Sequence, residues 1–466
     1  MRLIASGAVV VVALAGSALG APTVIFSNIA SSSTSDIPGL PGLKFDTGTA
    51  TRFQRPFRTP DGSGWALGAF IDIATTTNDE IIVRGSGSSG VGASLVVREG
   101  DATGDGAFPG ELFNDITERL AIANNGDVYF SNNTSAATTT DQAIFRASGG
   151  GFTTMVREGQ ATGSIPGATW GTGINSLSIT SSNELAFLSS TLGGAATANN
   201  AGLFRNGGAT VVAQKGITVP GSAGTAWELF DADDYSLSAD GTQYIAKGDI
   251  LGDTTKDDIV VVNGNAVLFE GSVIAGSTFT SPVASGGVDE VFMAPGGDWY
   301  AQGDNADTID WVVRNGAVIA RTDDVVPGGL PGEQWDDAPF GSTFFFMTGN
   351  NNGEYVIGGT TNNADTLNNA VLAYGTAAGG LLNVILREGD AVDVDGNGLT
   401  DDNAFISVFN NFDGFLLENG TLHFTADLRD GAGTSIGQAF LSVAVPTPGA
   451  GVIGLAGLLL AARRRR

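Results

Sequence analysis

Short apolar runs alternate with turn-forming residues along most of the chain, and the runs recur in register. SLVVREG, TTMVREG, TVVAQKG, AVLFEGS, AVIARTD and NVILREG bring Arg98, Arg157, Gln214, Phe269, Arg321 and Arg387 to equivalent positions at broadly regular intervals. A second series places turn residues before an apolar run (DVYFS, ELAFL, EYVIG, TLHFT) at Glu80, Asp127, Glu184, Thr242, Asp298, Glu354 and Thr421. Runs this short, bounded by Gly and Asn and rich in Val, Ile, Phe and Tyr, predict strands. Asn-Gly at Asn206, Asn263 and Asn315 predicts tight hairpins in the third to fifth units. Most turns are preceded, at a similar remove, by an aromatic: Trp65, Phe113, Trp170, Trp227, Trp335 and Phe409. That recurrence fits a core wedge between neighbouring sheets better than a sugar-stacking platform.

A period of roughly 50 to 60 residues marks a stacked or radial repeat. Seven units follow, each a four-stranded antiparallel meander with strands A to D. The last unit supplies FDGFLLE, TLHFTAD and QAFLSVA but no fourth strand, whereas the segment TVIFSNIASSSTSDIPGLPGLKFD near the N-terminus matches AVIARTDDVVPGGLPGEQWDD of unit five. The missing strand is therefore expected from the opposite end of the chain, which only a ring requires. The expected fold is all-β, a seven-bladed β-propeller of four-stranded antiparallel blades over residues 21–445, closed by an N-terminal strand joining the last blade. Strand D would be each blade's outer edge, and the charges of the repeated Arg-Glu-Gly read as edge protection. Unit one is irregular. Glu80 and Arg98 stand closer together than their counterparts in any other unit, so its C strand is expected to be short or missing. The stretch DTGTATRFQRPFRTPDGSG at 46–64 reads as an insertion.

The two ends have a different character. MRLIASGAVVVVALAGSALG, residues 1–20, has a basic start, an apolar run and small residues at its end, the layout of a cleavable secretory signal. Residues 446–466 combine Pro446, Thr447, Pro448 and Gly449 with an apolar run to Ala462 and then Arg463, Arg464, Arg465 and Arg466. The run predicts a short transmembrane helix with arginines at the cytoplasmic headgroups. This layout resembles the PEP-CTERM sorting signals of bacteria, in a Pro-Thr-Pro-Gly variant with Thr447 where the family carries Glu. The resemblance implies an exosortase-like sorting protease, transient anchoring at the membrane, and a final place on the cell surface or outside the cell.

Charge and composition narrow the function classes. The 466 residues carry a net charge of −27, and without the two end segments 17 basic residues face 49 acidic ones. Such a body repels nucleic acid. Cysteine is absent and His423 is the lone histidine, which excludes thiol chemistry and histidine metal clusters. In DVDGNGLTDD, Asp393, Asp395, Asn397, the Leu399 carbonyl and Asp401 fall on positions 1, 3, 5, 7 and 9 of an EF-hand-type loop, with Gly398 at the turn. Position 12 is Ala404, so Asp402 would have to compensate, and calcium is expected as a brace. Arg52, Arg55 and Arg58, with Phe53 and Phe57, could bind an acidic glycan. Pairing with the protein's own carboxylates is the better reading. Asp233-Asp234, Asp257-Asp258 and Asp336-Asp337 read as solvated turns, and no catalytic residue is assigned. The expected function is a non-enzymatic binding or display propeller for glycans or other envelope components. The alternative is a polysaccharide hydrolase or lyase using carboxylates at the propeller mouth, and it requires converging, buried acids with raised pKa.

Overall fold

The computed structural model describes residues 20–29, 32–48, 52–336 and 342–445, apart from the side chains of Thr117 and Glu118. Seven four-stranded antiparallel sheets follow one another along the chain. Their innermost strands are Phe53–Arg58, Phe113–Ile122, Ile174–Ile179, Tyr235–Leu237, Val283–Met293, Phe344–Gly349 and Phe405–Leu416. The seventh sheet takes its outermost strand, Thr23–Ser27, from the start of the chain. That strand pairs antiparallel with Ser435–Ala444, Thr23 opposite Ser442 and Ser27 opposite Ala439. The fold is a closed seven-bladed propeller.

Apolar faces meet between blades. Ala186, Leu188 and Leu203 of blade three share a core with Trp227, Tyr235 and Ile259 of blade four. At the closure, Ile25 and Phe26 pack with Phe45, Phe53, Trp65 and Phe440, uniting blades seven and one. The recurring aromatics are core wedges: Trp65, Trp170, Trp227 and Trp335 are all buried.

Blade one departs from expectation. It has all four strands, Phe53–Arg58, Trp65–Phe70, Glu80–Gly85 and Ser94–Arg98. Glu80 begins strand C, so its match to the strand B turns of the other units was one strand out of step. The segment RFQRPFR is no insertion but the innermost strand of the blade. Pro56, opposite Leu67, ends the irregularity in pairing that begins at Phe53, where a missing N–H costs least.

The Arg-Glu-Gly motif is also corrected. Strand D is the outer edge, yet Glu99, Glu158 and Glu388 are buried. Glu99 accepts the Asp79 amide at 3.3 Å within its own blade and the Asp115 amide at 3.4 Å on the next blade's innermost strand. Glu270, in a diverged copy, accepts from Asp257 and Asp258 at 2.9 and 3.1 Å and from Gly286 of blade five at 2.8 Å. Arg98 donates to the Asn78 carbonyl at 2.8 Å, and Arg387 to that of Asn368 at 2.8 Å. The motif is a clamp from one blade's edge to its neighbour, satisfying amides that burial would otherwise leave costly. The opposite face is stitched by turns: Ser181 donates to Ala239 at 2.7 Å and Ala239 to Pro295 at 2.8 Å.

The transmembrane helix expected up to Ala462 is not borne out among the described residues, and the run itself lies outside them. No helix among the described residues is long and apolar enough to cross a membrane. The signal segment up to residue 19 and the sorting residues Pro446, Thr447, Pro448, Gly449 and Arg463 to Arg466 lie outside the described residues.

Candidate functional site: the axial channel

The innermost strands enclose a cavity of about 640 Å³ lined from all seven blades. These strands are irregular where they face the axis. Asp115, Ser176 and Phe412 adopt left-handed φ of 68°, 51° and 55° beside breaks in strand register, as does Gly286 at 64° in blade five, and Asp233 does so at 70° just before its strand begins. Non-glycine residues rarely adopt this conformation, and bulges of this kind re-aim side chains. Neighbouring innermost strands are tied by side chains at the repeat spacing. Ser176 Oγ accepts the Asp233 amide at 2.8 Å, Asp234 Oδ1 that of Val291 at 3.1 Å, and Ser236 Oγ that of Met293 at 3.1 Å.

Charges converge on this lumen. Arg55 of blade one reaches Glu290 of blade five at 3.6 Å, and because those blades are not neighbours, the ion pair spans the channel. Behind Glu290, Lys247 Nζ lies 2.9 Å from Asp231 and 3.6 Å from Asp234. Burial and then the Glu290 carboxylate push the Asp234 carboxyl up, and burial pushes Glu290 up as well. Lys247 is held charged against its burial by Asp234, Asp258 and Asp231. One ammonium thus serves several acids, and the shortfall falls on Asp234 and Glu290. Burial raises Asp258 to about 7 and, with Asp231 and Asp257 beside it, Asp249 to about 6. In blade one, burial, Asp115 and Glu99 push Glu80 up to about 7.

The sequence-chosen residues separate. Arg52 pairs with Asp46 at 3.1 Å and lies over the Phe70 ring; Arg58 pairs with Glu418 at 2.6 Å and donates to the Leu416 carbonyl at 2.5 Å. Of the three arginines, Arg55 and Arg58 line the channel and all three meet the protein's own carboxylates. Asp233-Asp234 and Asp257-Asp258 are not wholly solvated turns, since Asp234 and Asp258 are buried; Asp337 lies outside the described residues. His423 is a core residue: its Nε2 lies 3.0 Å from the Gly87 carbonyl, its ring stacks on Phe415 at 4.8 Å, and burial lowers its pKa to about 4.

At the loop expected to hold calcium, ligand oxygens of Asp393, Asp395 and Asp402 lie within 4.8 Å of one another. Asp402, expected to compensate for the missing acid at position 12, joins this group whereas Asp401 does not, and Leu399 is exposed. Asp393 accepts the Gly396 and Gly398 amides at 2.8 and 2.9 Å, and Asp402 that of Val394 at 2.7 Å. Asn397 caps Leu399 through a 2.7 Å bond. The Asp393 backbone bonds to Val24 and Pro22, which fastens this loop to the closing strand.

Sequence reasoning missed Asp115, Ser176 and Glu290, and it weighed Asp233-Asp234 only to read the pair as a solvated turn. Ser176 and Asp233 stand one repeat interval apart, a signal already present in the chain.

Comparison with known proteins leaves the activity open. The model of a family of unknown function, DUF7453, matches residues 62–258. No curated protein matches in sequence. Among solved structures, a puromycin hydrolase S511A mutant complexed with PGG resembles this chain at TM-score 0.44 and 11% identity, over 86% of this chain and 55% of its own. The chain therefore spans about half the length of that enzyme. An α-L-arabinanase of Penicillium chrysogenum complexed with arabinobiose gives 0.34 and 12%, over 91% and 98%. A protein of unknown function from Dyadobacter fermentans gives 0.36 and 7%, over 87% and 100%.

Proposed function

We propose that this chain is an exported propeller that binds envelope glycans at its axial channel without transforming them, and that its proline-and-arginine tail directs it to the cell surface. The supporting observation is that Glu290 on the channel wall and Asp234 buried behind it are committed to structure. Asp234 spends one oxygen on the Val291 amide and faces Lys247 with the other, while Glu290 faces Arg55. A hydrolytic pair needs one carboxyl free to give a proton and another facing water or the sugar. Calcium belongs to the same reading, with Asp393, Asp395 and Asp402 holding it beside the closing strand. A glycan array probed with residues 21–445 tests the binding, and absence of any saturable glycan overturns it. Replacing Arg463 to Arg466 by Ser tests the sorting: the protein should leave the surface fraction, and unaltered localisation refutes the signal.

One observation favours a polysaccharide-active enzyme instead. The acids converge and their pKa values are raised, as at Glu80 and Asp234. Reducing-sugar release from arrayed glycans, lost in Glu290→Gln, would establish that reading, and its absence across the array would exclude it.

A further inference from the structure

The channel's accessible charges identify the class of glycan it takes, an inference that rests on the binding reading above. Asp115 and Asp233 are exposed on the lumen, on blades two and four, and neither carboxylate enters an ion pair among the described residues. Arg55 and Arg58 line the same cavity but are matched to Glu290 and Glu418. Arg119 is the remaining lining arginine, against Glu80, Asp115, Asp233 and Asp413. The wall therefore carries an excess of negative charge within a body that is itself strongly acidic. Both aspartates occupy left-handed corners, and at the corner matching Asp115 blade five uses Gly286. The chain keeps carboxylates at positions that glycine would fill without strain.

Two further features point to a ligand with a polar and an apolar face. Phe57, Phe292 and Phe412 are half-buried rings on the wall, from blades one, five and seven. Thr348 also lines the cavity, is 1% exposed, and its Oγ1 has no hydrogen-bond partner. Rings beside carboxylates bind an organic ammonium by charge and by its attraction to the π-face, and the flat face of a sugar packs on the same rings.

We propose that the channel seats a cationic amino sugar, its ammonium group taken by the lumen carboxylates Asp115 and Asp233 and its ring face laid on the lumen phenylalanines. The ammonium competes with Arg55 for Glu290 as it enters. A neutral N-acetylated sugar would leave those carboxylates without a partner, and an acidic sugar would be repelled.

Isothermal titration of residues 21–445 with a glucosamine trimer, its N-acetylated counterpart and a galacturonate trimer tests this. The cationic trimer should bind about tenfold or more tighter than the neutral one, and the double variant Asp115→Asn, Asp233→Asn should abolish that preference with its melting temperature unchanged. Arg55→Gln, which frees Glu290, should strengthen binding of the cation. Equal affinity for the cationic and neutral trimers, preference for galacturonate, or weaker cation binding by Arg55→Gln would overturn the inference while leaving glycan binding intact. Failure of all three sugars, with no other glycan bound on the array, would overturn both.

Discussion

Phe26→Ala probes the ring directly, because Phe26 belongs to the first strand of the chain and packs against residues of both blade one and blade seven. It is 3% exposed, with ring centroids 5.2 Å from Phe45 and 5.7 Å from Trp65. Truncating a buried phenylalanine costs about 3–5 kcal/mol, the transfer free energy plus the cavity left behind. The unfolding entropy of globular proteins is about 2.1 cal/mol/K per residue, or about 0.9 kcal/mol/K for a body of about 425 residues. A ring that melts as one unit should therefore lose roughly 3–6 °C. If only the two closing blades, about 120 residues, melt together, the same loss appears as about 12–20 °C. Differential scanning calorimetry separates these outcomes, with Leu382→Ala, half-exposed on the outer strand of blade six, as a control expected within about 0.5 kcal/mol. A shift in Phe26→Ala no larger than the control's would mean that the N-terminal strand does not close the ring.

Two further predictions concern pH and cations. Burial holds Glu388 at about 7 and Asp258 at about 7, above their ordinary values, so the folded state binds protons that the unfolded chain releases. Their stabilising contribution is complete below about pH 4 and is lost as pH rises through 7, at most on the order of 3 kcal/mol for Glu388. Melting temperature should fall between pH 5 and 8, less steeply in Glu388→Gln; a rise over that range would contradict the buried, raised acids. Calcium at ten times its dissociation constant should add about 1.4 kcal/mol, about 1.5 °C for the whole ring. Asp395→Asn should abolish the gain, and an unchanged wild-type melting curve in millimolar calcium would remove the metal from the reading.

Much of the fold was legible in the sequence because a propeller repeats its strands, turns and wedges in register. Asn206, Asn263 and Asn315 adopt the left-handed conformation that Asn-Gly hairpins demand. Strand Phe53–Arg58 escaped notice because it faces the lumen and closes an ion pair there, so Arg, Gln and Pro replace the usual alternation. The Arg-Glu-Gly glutamates were misread since local sequence shows charge but not the neighbouring blade that buries it. The channel acids were illegible for a related reason. Arg55 and Glu290 stand far apart in the chain, with most of four blades between them, and only closure of the circle brings them together.

Closure also orders events in time. The strand that finishes blade seven, Thr23–Ser27, is the first of the described strands, yet its partner strand ends only at Ala444. Contacts of such sequence separation form slowly and last. A folding chain must therefore hold this apolar strand unsatisfied until the last blade has formed, which makes closure of the ring a late event.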